Sequence, residues 1–132
     1  MRKVMIIGLI LIICLLSISA SAEGLRYPEV FESSEVEFHK MHTTAYCLHG
    51  VTGSGGTTHP GIAACDPYLG QIAMIYSLDG EFLGMYEVTD TGGTDAIRQG
   101  KVIDVWFPDL EQCKEWMKKT EGKCMVYFID GN

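Results

Sequence analysis

The stretch QIAMIYSLDGEFLGMYEVTD, residues 71–90, constrains this chain more than any other. Two apolar runs flank Asp79-Gly80, and Asp-Gly is a favoured hairpin turn because both central residues take positive φ at little cost. An isolated hairpin is marginal in water and needs further strands to bury its apolar face. The sequence supplies them: KMHTTAYCL (40–48) and GIAACD (61–66) before it, KVIDVWF (101–107) and KCMVYFID (123–130) after it. Pro108 stops the first of the later pair. Between them, DLEQCKEWMKK sets Leu110, Cys113, Trp116 and Met117 on one helical face, with lysines at the end that suits the helix dipole. Six short strands and one short helix predict a mainly β protein, a small closed barrel rather than a parallel α/β sheet.

The N-terminus, MRKVMIIGLILIICLLSISASAEG, has a short basic start, an apolar run and small residues at Ala20 and Ala22. That is the layout of a secretory signal peptide over residues 1–22, with a retained membrane anchor as the alternative. The protein is therefore expected to be secreted or associated with the cell wall. Residues 23–39 read as a linker or N-terminal arm, and residues 40–132 as the domain. Cleavage after Ala22 leaves 110 residues, enough for one core. Loss of Arg2 and Lys3 leaves 8 basic against 17 acidic residues, a formal charge of −9. No basic patch survives, so nucleic-acid binding is not expected. A monomer is expected.

With Cys14 in the leader, four cysteines remain: Cys47, Cys65, Cys113 and Cys124. An even number in a small exported domain predicts two disulfides. Three pairings exist, and spacing favours Cys47–Cys65 with Cys113–Cys124, each closing a short loop. No C-x-x-C pair occurs, and His39, His42, His49 and His59 do not fall at ligand spacings. Neither a metal nor another cofactor is expected.

Three aspartates carry the candidate chemistry. In KVIDVWF, strand alternation puts Val102, Asp104 and Trp106 on one face and Ile103, Val105 and Phe107 on the other. A carboxyl group between two large apolar neighbours is costly to ionise, so its pKa rises and it keeps a proton to donate. The plainer alternative is that Asp104 only accepts hydrogen bonds from a neighbouring loop. Asp90 opens DTGG, where Gly92 and Gly93 allow tight backbone geometry and close approach of a ligand; an Asx-turn explains it equally well. Asp66 precedes Pro67, and Asp-Pro readily begins a turn.

Taken together, TTAYC (43–47), TGSGGTTHPGIAACDP (52–67) and VTDTGGTDAIRQGKVIDVWF (88–107) resemble the 3D domain, named for its three aspartates. Its members include the stationary-phase-survival type of cell-wall enzyme, and the catalytic domain of membrane-bound lytic transglycosylase A is a relative. The resemblance covers roughly residues 41–129 and implies a six-stranded double-psi β-barrel acting on peptidoglycan glycan strands. It implies Asp104 as the acid/base, Asp90 as a group that binds sugar hydroxyls or tunes Asp104, and Asp66 as the first member of the catalytic set. Tyr46, the turn carrying Thr52, Ser54 and Gly55, and Thr91, Gly92 and Gly93 are implied to line the substrate groove. The implied reaction is lytic transglycosylation with a 1,6-anhydro product. The alternative is a non-catalytic, expansin-like glycan-binding module, in which aromatics such as Tyr46, Tyr68, Tyr76 and Trp106 stack on sugar faces.

Overall fold

A computed structural model describes residues 36–131. The signal peptide and most of the expected N-terminal arm lie outside the described residues. Six strands, β1 (His39–Tyr46), β2 (Ile62–Ala64), β3 (Gln71–Tyr76), β4 (Phe82–Asp90), β5 (Val102–Trp106) and β6 (Lys123–Asp130), close into a barrel in the order β1-β5-β2-β4-β3-β6. The pairs β1–β5 and β2–β4 are parallel, and the other four are antiparallel. Closure leaves no strand edge unpaired.

Burial alternates along β3, β5 and the start of β6, whereas all three residues of β2 are buried. Ile103 and Val105 of β5, Ala73 and Ile75 of β3, and Cys124 and Val126 of β6 all point inward, with no exposed surface. Asp104 therefore does not sit in the core: it faces outward, on the side of β5 opposite Ile103 and Val105.

The hairpin differs from its expected turn. Ser77 to Glu81 forms the connection, with the Ser77 N–H donating to the Glu81 carbonyl at 2.8 Å and Gly80 at φ 93°. Asp79 keeps negative φ, and its side chain instead accepts from the Ser77 hydroxyl. A longer loop needs one left-handed residue where a two-residue turn needs two.

Among the described residues two α-helices rather than one accompany the barrel: α1 (Asp95–Arg98), and α2 (Leu110–Thr120) capped by Asp109, whose side chain accepts from the Gln112 N–H. A single 3-10 turn spans Asp66–Tyr68. The buried face of α2 is Cys113, Trp116 and Thr120; Leu110 and Met117, expected on that face, are exposed. Trp116 ties the helix to the barrel. Its indole N–H donates to the inward-facing Thr43 hydroxyl at 2.9 Å, and its ring packs near Tyr86 and Phe107. Satisfying that buried hydroxyl turns the helix away from a simple Leu-Met stripe.

The cysteines correct the expected staples. Cys47, Cys65, Cys113 and Cys124 are free thiols in this structure. Cys65 and Cys124 both belong to the barrel core, while Cys113 adjoins Cys47. Neighbours in sequence are thus not the neighbours in space, because the strand order brings distant segments together. Burial pushes the Cys65 and Cys124 thiols up to about 12. They behave as small apolar core residues.

Candidate functional site

The register of four strands sets out the site as a row. Thr44 of β1 pairs with Asp104 of β5, Asp104 with Ala64 of β2, and Ala64 with Asp90 of β4. Two strand spacings put the backbones of Asp104 and Asp90 about 9–10 Å apart. Ala64 lies between them as a floor with almost no side chain. The pairing of β2 with β4 slips between Ala63 and Ala64, so that Val88 and Asp90 are the successive partners and Thr89 is the extra residue. This bulge carries Asp90 into the row, as bulges beside functional sites often re-aim one side chain. Its cost is visible at Thr89, whose hydroxyl is the one buried side-chain polar atom lacking a partner among the described residues.

Above the row lies a groove of about 310 Å³, lined by Tyr46, Leu48, His49, Gly50, Val51, Thr58, Ala64, Asp90, Thr91, Gly92, Gly93 and Asp104. One wall is the loop after β1, folded on itself by Thr52–Gly56 and Thr58–Gly50 backbone bonds. Trp106 anchors that wall, donating its indole N–H to the Leu48 carbonyl at 2.8 Å while His49 stands edge-on to its ring.

Asp104 and Asp90 share the groove but not the same surroundings. Thr44 is the one hydrogen-bond donor to Asp104 among the described residues, at 2.8 Å. Burial raises the Asp104 pKa; the bond from Thr44 lowers it by less, and the negative charge of Asp90 raises it by less still. Asp90, in contrast, accepts three hydrogen bonds: from the Tyr46 hydroxyl at 2.6 Å, the Gly53 N–H at 2.9 Å and the Thr91 N–H at 2.8 Å. Burial first, then the bond to Asp90 and the charges of Asp90 and Asp104, hold the Tyr46 hydroxyl protonated far above its ordinary range. One carboxyl is thus arranged to keep a proton and the other to receive donors. That division of labour is the arrangement acid/base chemistry requires.

The remaining expected residues divide. Asp66 does not line the groove; its Oδ1 accepts the Gly92 N–H at 2.8 Å and so holds the DTGG turn from behind. Thr52, Ser54 and Gly55 do not line it either. Thr52 is buried within the loop, taking the Gly56 N–H and facing the Ser54 hydroxyl, and the Ser54 N–H bonds the Thr89 carbonyl. Gly92 leaves room for protein rather than ligand, since a Cβ there would stand 2.2 Å from Ile97 Cγ2. Gly93 meets nothing within 4 Å. Of the aromatics expected to stack on sugars, only Tyr46 reaches the groove. Tyr68 stacks on Phe128 at 3.7 Å, Tyr76 packs with Phe38 and Phe82, and Trp106 is buried.

Thr44 and Ala64 escaped sequence reasoning. Thr44 and Ala64 gain their roles only through register, which no local pattern carries. Gly53 had a signal in the glycine-rich loop, but its function is an N–H aimed at Asp90 from 37 residues away. A Cβ at Gly53 would come 2.5 Å from Thr91 Cγ2, and Thr91 itself is held against Asp90. Gly53→Ala is expected to push the loop off Asp90 and cut any reaction in this groove roughly 10- to 100-fold, the scale of a 1 Å misplacement. Initial rates of the variant against the parent check this; a rate within a factor of two would show that the Gly53 contact is dispensable.

Comparison with protein-family models, with curated proteins and with solved structures finds no match to this chain.

Proposed function

We propose that the domain cleaves peptidoglycan glycan strands as a lytic transglycosylase, with Asp104 as the single acid/base. The observation that carries this reading is the contrast within the row: a half-buried Asp104 with raised pKa faces an open groove beside an Asp90 surrounded by donors. The two parallel strand pairs in a closed six-stranded barrel also agree with a double-psi topology. Asp104 would protonate the glycosidic oxygen as the bond to the muramoyl anomeric carbon breaks. The resulting carboxylate would then take the proton from the C6 hydroxyl, whose oxygen bonds that anomeric carbon and closes the 1,6-anhydro ring. The proton count returns to its start and no water is consumed, unlike the two-carboxylate schemes of ordinary glycosidases. Asp90, with Tyr46, would orient sugar hydroxyls and add by its charge to the raised pKa of Asp104.

Incubation of the full chain with purified peptidoglycan, with products read by mass, tests the reading. Anhydro-muropeptides are expected. Retention on peptidoglycan with no product would favour the glycan-binding module instead, and neither binding nor product would remove both.

The pH profile follows from the same contrast. The active form has Asp104 protonated, and its pKa lies above the ordinary carboxylate value of 3.8. The rate is therefore full at low pH and falls as pH rises through the raised value. Asp90→Asn removes one cause of that rise, so the falling limb of kcat/KM is expected to move to lower pH. An unmoved limb, or a limb moved upward, would separate Asp90 from the tuning of Asp104.

A further inference from the structure

Both ends of the segment containing α2 are tied to β1. The Phe107 N–H donates to the Tyr46 carbonyl at 2.9 Å, and the Thr43 N–H donates to the Gly122 carbonyl at 3.0 Å. The Trp116–Thr43 bond adds a third tie between them. The helix consequently lies along β1, running opposite to it, with its first turns beside the residue that follows Tyr46. Cys113 is buried on the inner face of those turns, and Cys47, the residue after Tyr46, is half-buried. The Cys47 thiol lies near enough to Cys113 to act on it by charge and by a side-chain hydrogen bond. Disulfide formation requires Cα atoms about 4.4–6.8 Å apart, and the tie at Phe107, six residues before Cys113, brings the first turn of α2 toward the end of β1.

From this placement we infer that Cys47 and Cys113 form a disulfide joining the end of β1 to α2. It differs from both pairings that sequence spacing favours. Two thiols lose two protons and two electrons, and a small-molecule disulfide such as oxidised glutathione, or an oxidised dithiol protein, accepts them. Cys47 is the half-exposed partner and attacks the donor first, forming a mixed disulfide. Cys113 then attacks the Cys47 sulfur and expels the donor thiol. Burial pushes the Cys113 thiol up to about 11, which suits the second, intramolecular role better than the first. The bond would fix Tyr46, and with it the start of the loop that walls the groove. It stands whether or not the groove cuts glycans.

The test uses the full chain, folded under reducing conditions and then exposed to oxidised glutathione. After alkylation of free thiols and digestion without reductant, a peptide linking Cys47 to Cys113 is expected by mass. The Tm of the oxidised protein is expected to fall by roughly 10 °C on adding dithiothreitol, since a cross-link closing a loop of this length constrains the unfolded chain strongly. In the Cys47→Ser/Cys113→Ser variant, dithiothreitol should leave Tm unchanged. Complete alkylation of both residues after oxidation, or linkage of either to Cys65 or Cys124, would overturn the inference. So would a dithiothreitol-dependent Tm that persists in the double variant.

Discussion

Asp104→Asn should abolish anhydro-muropeptide formation, by on the order of 10²- to 10⁴-fold, while leaving the barrel at least as stable at neutral pH. The two halves of this expectation have one cause. Burial and the charge of Asp90 raise the Asp104 pKa. A carboxyl whose folded pKa is raised adds its full stability below the unfolded pKa, and loses it as pH rises through the folded value. Wherever pH exceeds the folded value, the ionised parent therefore carries a penalty that asparagine does not. The amide oxygen still accepts from Thr44, so the 2.8 Å contact survives the change. Product analysis paired with thermal melts at neutral pH distinguishes the outcomes. Lost product with unchanged or higher Tm is the signature of a site residue held against stability. If the variant instead melts several degrees lower, Asp104 is chiefly a structural acceptor, and if it still releases anhydro products, the acid lies elsewhere.

Trp116→Ala is expected to be the most damaging change to the fold, at about 3–5 kcal/mol. The indole is buried against Tyr86 and Phe107, and its N–H is the donor that satisfies the inward-facing Thr43 hydroxyl. Truncation would leave a cavity and take from the Thr43 hydroxyl its indole donor, leaving it the 3.4 Å bond to the Thr44 carbonyl. Native domains are stable by only about 5–15 kcal/mol, so the loss is a large share of the total. Tm should drop by on the order of 12 °C or more in a domain of this size. Trp116→Phe keeps most of the packing and loses the N–H, so it should fall between the variant and the parent. Urea or thermal unfolding of the three proteins orders them; a Trp116→Ala cost below about 1 kcal/mol would mean that α2 contributes little to the core.

Local sequence carried the strands well, and three particular features show where it stopped. On α2, a 3.6-residue period offered Leu110 and Met117 as core residues, but the buried face follows Trp116 to its partner on β1, and Thr120 takes the place beside it. The turn at Asp79-Gly80 was legible as a turn, yet its type depends on how far the flanking strands extend, and β3 and β4 stop at Tyr76 and Phe82. The cysteine partners could not be read from spacing, because loop length says nothing about which strands the barrel lays side by side.

The same division holds at the groove. The sequence alone determined that Asp104 stands on the face of its strand opposite Ile103 and Val105, because a pleated strand leaves no other choice. It also set Asp90 in a tight glycine turn. Only the tertiary structure decided that Asp104, Ala64 and Asp90 share a row, that Thr44 and Gly53 each hold one of the two carboxylates, and that Asp66 stays outside. Those relations follow from inter-strand register and from the bulge at Thr89, which are hydrogen-bond pairings between distant segments. A residue's own neighbours along the chain fix which way it points, and only its partners across the sheet fix what it points at.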